Sequence, residues 1–169
     1  MTKKCIGLGG VNSKINFYIA NRPPIDNYPV MQNFRALESG ELGYIVKHTG
    51  NHWRKVFNVY AKLLFDWYQL DNKCLPENWQ AYRDLELFQS HSHEALMFSQ
   101  FGLNKNIQTI HIIAGKTYAA ILDLPPLVWL DSYFAINKHY RLIVAPYPDY
   151  RQLSNERIAQ LITLMTGLK

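Results

Sequence analysis

The spacing of apolar positions along the chain predicts short strands alternating with amphipathic helices. Residues 15–20 (Ile-Asn-Phe-Tyr-Ile-Ala) are rich in β-formers and stop at Asn21-Arg22-Pro23-Pro24, where paired prolines end a ladder. From Asn21 to about Gly50 the chain makes a long structured excursion, because Tyr28, Phe34, Tyr44 and Ile45 call for burial. From Asn51, the residues Trp53, Val56, Phe57, Tyr60, Leu63, Leu64 and Trp67 recur at three- and four-residue spacing, which is one face of a helix. Thr49 or Asn51 is available as its cap. A second, weaker helical pattern runs from about Ser90 to Gln100, with Gly102 as its stop. Ile107 to Ala114 is nearly continuous in β-branched residues and reads as a strand buried on both faces. Lys116 to Leu122 forms a short helix after Gly115, and Arg141 to Ala145 is a further strand. Ser154 caps a last helix carrying Ile158, Leu161, Ile162 and Met165 on one face, and Gly167 ends it.

Strand, loop and helix recurring in this order predict one domain, residues 1–169, of the α/β class, with a mainly parallel sheet. In such folds ligands bind beyond the carboxyl ends of the strands. Three loops therefore become the place to look: Asn21 to Pro24, Gly115 to Thr117, and Tyr147 to Arg151.

Composition narrows the class without naming a function. The 169 residues are 48% hydrophobic and 14% aromatic, which excludes a disordered chain. The amino-terminal Met1-Thr2-Lys3-Lys4 is followed by too short and too glycine-rich a stretch for a signal peptide, and no apolar run is long enough to span a bilayer. Cys5 and Cys74 fit no metal spacing and suggest two reduced thiols in a cytoplasmic protein, with no membrane partner. The net charge of +5 is unevenly placed. Residues 1–60 carry eight basic and three acidic side chains, residues 61–123 five and seven, and residues 124–169 five and three. The excess thus lies on the segments that supply two of the three loops. Arg22, Lys47, Arg54, Lys55 and Arg151, interleaved with Tyr28, Phe34, Tyr147 and Tyr150, could hold phosphates and stack a base, or could simply decorate a packed aromatic core.

Familiar motifs fall short. Ala114-Gly115-Lys116-Thr117 resembles the end of a phosphate-binding P-loop, but Ile110 stands where that loop needs its first glycine. Lys116 remains a candidate for attracting a phosphate beside a helix start. Gly7-Leu8-Gly9-Gly10 precedes a strand, so it is no dinucleotide fingerprint and reads as a turning or flexible segment. His91 and His93 lack the partners a metal site needs, no metal or cofactor is expected, and His48 lies near the start of the aromatic helix. Neither a nucleophile elbow nor a distinct pair of carboxylates stands out.

Taken in order, the loops are similar to the motifs of the uracil-DNA glycosylase superfamily. Phe17-Tyr18-Ile19-Ala20-Asn21-Arg22-Pro23-Pro24 resembles its first motif, a strand closed by a Gly-x-Asn-Pro or Gly-Gln-Asp-Pro sequence. Leu142-Ile143-Val144-Ala145-Pro146-Tyr147-Pro148-Asp149 resembles its last, in which His-Pro-Ser follows a late strand. His48-Thr49-Gly50-Asn51-His52-Trp53 and Ile110-His111-Ile112-Ile113-Ala114-Gly115-Lys116 resemble the intervening helix start and middle strand. The resemblance implies a three-layer α/β/α sandwich with a small parallel sheet. It implies that Asn21 places a water at the sugar, that Tyr147 replaces the anion-stabilising histidine, and that Tyr28 or Phe34 stacks on a flipped base. Asp149 falls at the serine of the last motif, so its carboxylate joins Asn21 and Tyr147 as the candidate catalytic set. A phenol donates one hydrogen bond and a carboxylate repels a leaving anion, so binding follows from the resemblance more directly than hydrolysis does.

The expected ligand-binding residues are Arg22, Tyr28, Phe34, His48, Lys116 and Arg151, and the expected partner is a nucleobase, nucleotide or nucleic acid. Two other classes stay open. One is a non-catalytic interaction domain, including a homodimer, to which Trp53, Trp67, Trp79, Trp129 and eleven tyrosines lend themselves. The other is a hydrolase or transferase for a small anionic substrate held near Lys116 and Arg151.

Overall fold

The computed structural model describes residues 4–103 and 108–169. The basic start at Met1–Lys3 and the first residue of the expected middle strand, Ile107, lie outside the described residues. Along the chain come β1 (Gly7–Gly9), β2 (Ile15–Tyr18), β3 (Phe34–Arg35), α1 (Glu41–Thr49), α2 (Asn51–Gln69), α3 (Trp79–Leu85), β4 (Glu94–Met97), β5 (Ile110–Ala114), α4 (Lys116–Ile121), β6 (Val128–Trp129), β7 (Ala135–Asn137), β8 (Leu142–Ala145) and α5 (Asn155–Thr166).

The described strands form one sheet in the order β3-β1-β4-β2-β5-β8-β7-β6. Its centre, β4-β2-β5-β8, is parallel throughout, with Phe17 opposite Leu96 and Ile112, and Ile112 opposite Ile143. The expectation of a small, mainly parallel sheet is corrected at both flanks. β1 runs antiparallel to β4, and β6 and β7 run antiparallel beyond β8, giving a mixed sheet of eight strands. The added strands are two or three residues long, too short to leave a period in the sequence.

β1 is the glycine-rich segment expected to turn. A Cβ at Gly7 would lie 2.4 Å from the Leu96 carbonyl oxygen, and one at Gly9 2.5 Å from Ala95 Cα. The glycines are thus what lets this strand press against β4. The helix expected over Ser90 to Gln100 is instead β4. Its four residues are all buried between β1 and β2, and pairing on both edges outweighs a weak helical pattern.

The other expected elements form close to their expected bounds. α5 is capped by Ser154, whose hydroxyl accepts the Arg157 amide at 3.4 Å. α2 carries no side-chain cap. Thr49 instead donates to the Ile45 carbonyl at the end of α1, and Gly50, at φ +81°, makes the break between the two helices. On one sheet face Phe17, Leu96, Ile112 and Ile143 pack with α1, α2, α3 and α5, and Phe17 stacks on Tyr60 with ring centroids 4.0 Å apart. Fully burying each of Trp53, Phe57, Leu63 and Leu64 contributes roughly 1.5–3 kcal/mol, which fixes α2 firmly on the sheet. The opposite face, with Tyr18, Ile113 and Val144, is covered by α4 and irregular chain around Phe101, Leu124 and Leu127. No described helix is long and apolar enough to cross a membrane.

Candidate functional site

Because β2, β5 and β8 are parallel neighbours, the residues just after them emerge along one edge of the sheet. Asn21 follows β2, Gly115 follows β5, and Tyr147 follows β8. Asn21 Nδ2 donates to Tyr147 Oη at 3.3 Å. His52, in the first turn of α2, brings Nε2 to 2.7 Å from the same oxygen, with its ring stacked on the phenol at 5.8 Å between centroids. Tyr147 Oη thus accepts the Asn21 amide hydrogen and stands within hydrogen-bond distance of His52 Nε2. Burial raises the Tyr147 pKa to about 12, so the group is a neutral phenol near pH 7. Gly115, at φ +98°, passes under this ring: a Cβ there would sit 3.9 Å from Tyr147, and its amide bonds the Ala145 carbonyl. The last turn of β5 and the loop after β8 are thereby tied together.

Asp149 belongs to the same edge, but its carboxylate is already engaged. Oδ1 accepts the Arg151 amide at 2.9 Å and Oδ2 lies 3.8 Å from Lys55 Nζ. Lys55 is one turn along α2 from His52, and its ammonium lies 5.5 Å from the centre of the Tyr150 ring, with Lys62 at 5.8 Å from the same ring. Lys55 is thus the cation nearest this group, Lys62 lies nearly three turns from His52 along α2 and against Trp79 and Tyr150, and Arg151 is exposed in the loop that carries Tyr147.

The remaining candidates are placed elsewhere or put to other uses. Arg22 Nη1 donates to the carbonyls of Tyr28, Pro29 and Met31 at 3.0–3.3 Å, and its guanidinium lies over Phe98, so it staples the excursion after β2. Tyr28 is buried and donates to Glu41, which also takes a two-pronged ion pair from Arg35. Phe34, in β3, packs half-buried against the far face with Tyr18 and Met97. Neither ring stands free beside Tyr147. His48 is on α1 with its ring 4.5 Å from Tyr44, and Lys116 holds its ammonium 4.9 Å from the centre of Trp129.

His52 is the site residue that the sequence reading passed over in favour of His48. The available signal was helical phase: His52 and Lys55 are three apart and share the face of α2 that meets the last loop. Among the described residues no group of three or more His, Cys, Asp or Glu side chains is arranged to hold a metal ion.

Residues 6–166 match the model of a family described as of unknown function, DUF6942. No curated protein and no solved structure matches the chain.

Proposed function

The chain belongs to the DUF6942 family, and we propose that it binds a nucleotide or single-stranded nucleic acid at the carboxyl edge of its parallel strands, as a uracil-DNA glycosylase-like domain acting in the cytoplasm. The carrying observation is the meeting of Asn21, His52 and Tyr147 around one phenolic oxygen, with Lys55 one turn along α2 and Lys62 and Arg151 further out on the same helix and loop. Asn21 has an amide hydrogen and a carbonyl left to read a base edge, and the lysines and arginine offer charge to phosphates. A central run of four parallel strands with helices packed on the sheet is compatible with the three-layer sandwich that the resemblance implies.

Binding is favoured over hydrolysis. N-glycosidic cleavage needs a group to activate water beside the sugar, and the nearest carboxylate, Asp149, is held by Lys55 and the Arg151 amide. The test is binding of a single-stranded oligonucleotide at low and high salt. If Lys55, Lys62 and Arg151 each meet one phosphate, affinity falls about 20-fold between 50 and 200 mM salt. Binding that is absent or indifferent to salt removes the reading. Uracil release compared between the wild type and Tyr147→His then decides catalysis, and release from neither leaves a binding domain.

A second reading rests on the edge strand β6. Ile121, Val128, Trp129, Leu130 and Tyr133 are all exposed near this end of the sheet, which suits protein association, including a homodimer. Sedimentation of the chain across a concentration series tests it.

A further inference from the structure

The far face of the sheet contains a cavity of about 650 Å³ whose floor is polar, although the sheet around it is apolar. On this face β4 and β8 present Ala95, Met97, Leu142 and Val144, whereas β2 and β5 present Asn16, Tyr18 and His111 beside Ile113. Asn16 and His111 are direct partners in the ladder, so the polar groups form one patch in the middle of the sheet. Ser13 Oγ donates to Asn16 Oδ1 at 2.6 Å, and Tyr18 Oη lies 2.8 Å from His111 Nδ1.

Burial lowers the His111 pKa to about 4, so the imidazole is neutral near pH 7. A phenol is a stronger acid than a neutral imidazole N–H and so donates to Nδ1, which puts the ring's own hydrogen on Nε2. That nitrogen has no hydrogen-bond partner among the described residues, and His111, 5% exposed, lines the cavity. Phe101 lies edge-on to the imidazole at 5.0 Å between centroids and restrains its tilt. Met97, Phe101, Leu124 and Pro125 supply apolar walls, and the volume is within the range of small-ligand sites.

We infer that this cavity is a second binding site, for an uncharged small molecule with a flat apolar body and a carbonyl oxygen that accepts the Nε2 hydrogen of His111. A neutral acceptor suits the floor better than a carboxylate, because the charged side chains of the lining, Lys4 and Asp123, are exposed and of opposite sign and only the imidazole meets the ligand at the floor. One N–H of an uncharged imidazole cannot replace the hydration that a buried anion gives up. The site lies on the other side of the sheet from Tyr147 and does not depend on the reading of that edge.

The experiment uses naphthalene-2-carboxamide as the probe and 2-naphthoate as its charged counterpart, followed by NMR of the whole chain. The amide binds with a dissociation constant of about 1 mM or tighter, as expected of a ligand this size. It shifts the His111 Nε2 resonance, and the naphthoate binds at least about tenfold more weakly. His111→Leu weakens the amide by about tenfold, the loss of one hydrogen bond. Met97→Trp, which fills the cavity and keeps the imidazole, abolishes binding and guards against a folding failure in the first variant. Cys5 lines this cavity and Cys74 does not, and both thiols are exposed. The amide therefore slows thiol modification at Cys5 and leaves Cys74 unchanged. Failure of the amide to bind, equal binding of amide and naphthoate, unchanged binding in Met97→Trp, or protection of both thiols alike each overturns the inference.

Discussion

Replacing Tyr82 by Phe removes one hydroxyl from the most deeply buried acid of the fold and leaves the ring in place. Glu94, at the start of β4, has no exposed surface. One of its carboxyl oxygens takes the Tyr82 phenol at 2.5 Å and the other takes the Tyr68 phenol at 2.7 Å. Burial raises the Glu94 pKa, while these phenols and the amides of Phe88 and His93 pull it back. A hydrogen bond to a charged group contributes about 1.5–3 kcal/mol and one to a neutral group about 1 kcal/mol. Tyr82→Phe should therefore cost about 2 kcal/mol where the carboxyl is ionised, or roughly 4–8 °C in Tm for a chain of this size. The sign of the pH dependence follows from linkage. A carboxyl whose folded pKa lies above its unfolded value loses stability as pH rises towards the folded value. Removing Tyr82 raises that pKa further, so the penalty is largest in alkali and shrinks on acidification. Urea unfolding of the wild type, Tyr82→Phe, Glu94→Gln and the double variant measures this directly. In the Glu94→Gln background the same substitution should cost only about 1 kcal/mol, a coupling of about 1 kcal/mol. Equal costs in both backgrounds, or a penalty independent of pH, would refute the role given to the carboxyl.

Other outcomes follow from features already described. Gly9→Ala, at φ +154° and 2.5 Å from Ala95 Cα, should destabilise by about 1–3 kcal/mol or prevent folding, read by urea midpoint and by soluble yield. Burial alone would raise the Glu41 pKa, but Arg35, the Glu38 amide and Tyr28 together lower it. Its stabilising contribution is thus present above the unfolded value of about 4.5 and lost as pH falls below it, and Glu41→Gln should flatten the acid limb of a stability–pH curve. The lowered His111 pKa works the same way from a base: stability declines as pH falls from about 6.5 to about 4, by at most about 3 kcal/mol, and His111→Leu removes that decline. Asn78→Ala deletes the side-chain cap that accepts the Ala81 amide at 2.9 Å and should cost about 1 kcal/mol in thermal unfolding. Tyr147→Phe should weaken oligonucleotide binding about tenfold while leaving Tm nearly unchanged, since the phenol's partners, Asn21 and His52, are exposed.

Legibility in the sequence tracked the strength of local pattern. α2, α5, β2, β5 and β8 announce themselves because each carries a sustained period or a β-branched run, and three of their ends define the edge where Asn21 and Tyr147 meet. β1 stayed hidden because the property that makes it a strand, room for the backbone of β4 to approach, is a non-local one written as missing side chains. β4 carried a helix-like spacing that sheet pairing overrode. At the site, proximity along the chain favoured His48, whereas the break at Gly50 turns α1 and α2 apart and delivers His52. Tyr28 and Phe34 looked like free aromatics because sequence does not show which rings the fold consumes: one went to Glu41 and the other to the far face of the sheet.

α2 joins the cluster at Tyr147 to the buried acid Glu94. At 19 residues it is a rod of about 28 Å, with His52 at one tip and Tyr68, bonded to Glu94, at the other. Over that length a tilt of only about 2° displaces one end by roughly 1 Å, enough to part a 2.7 Å contact. The buried row from Trp53 to Tyr68 holds the rod down along its whole length, so the aim of His52 at Tyr147 is set by the packing of the entire helix, with the bond from Tyr68 to the buried acid as its far fastening.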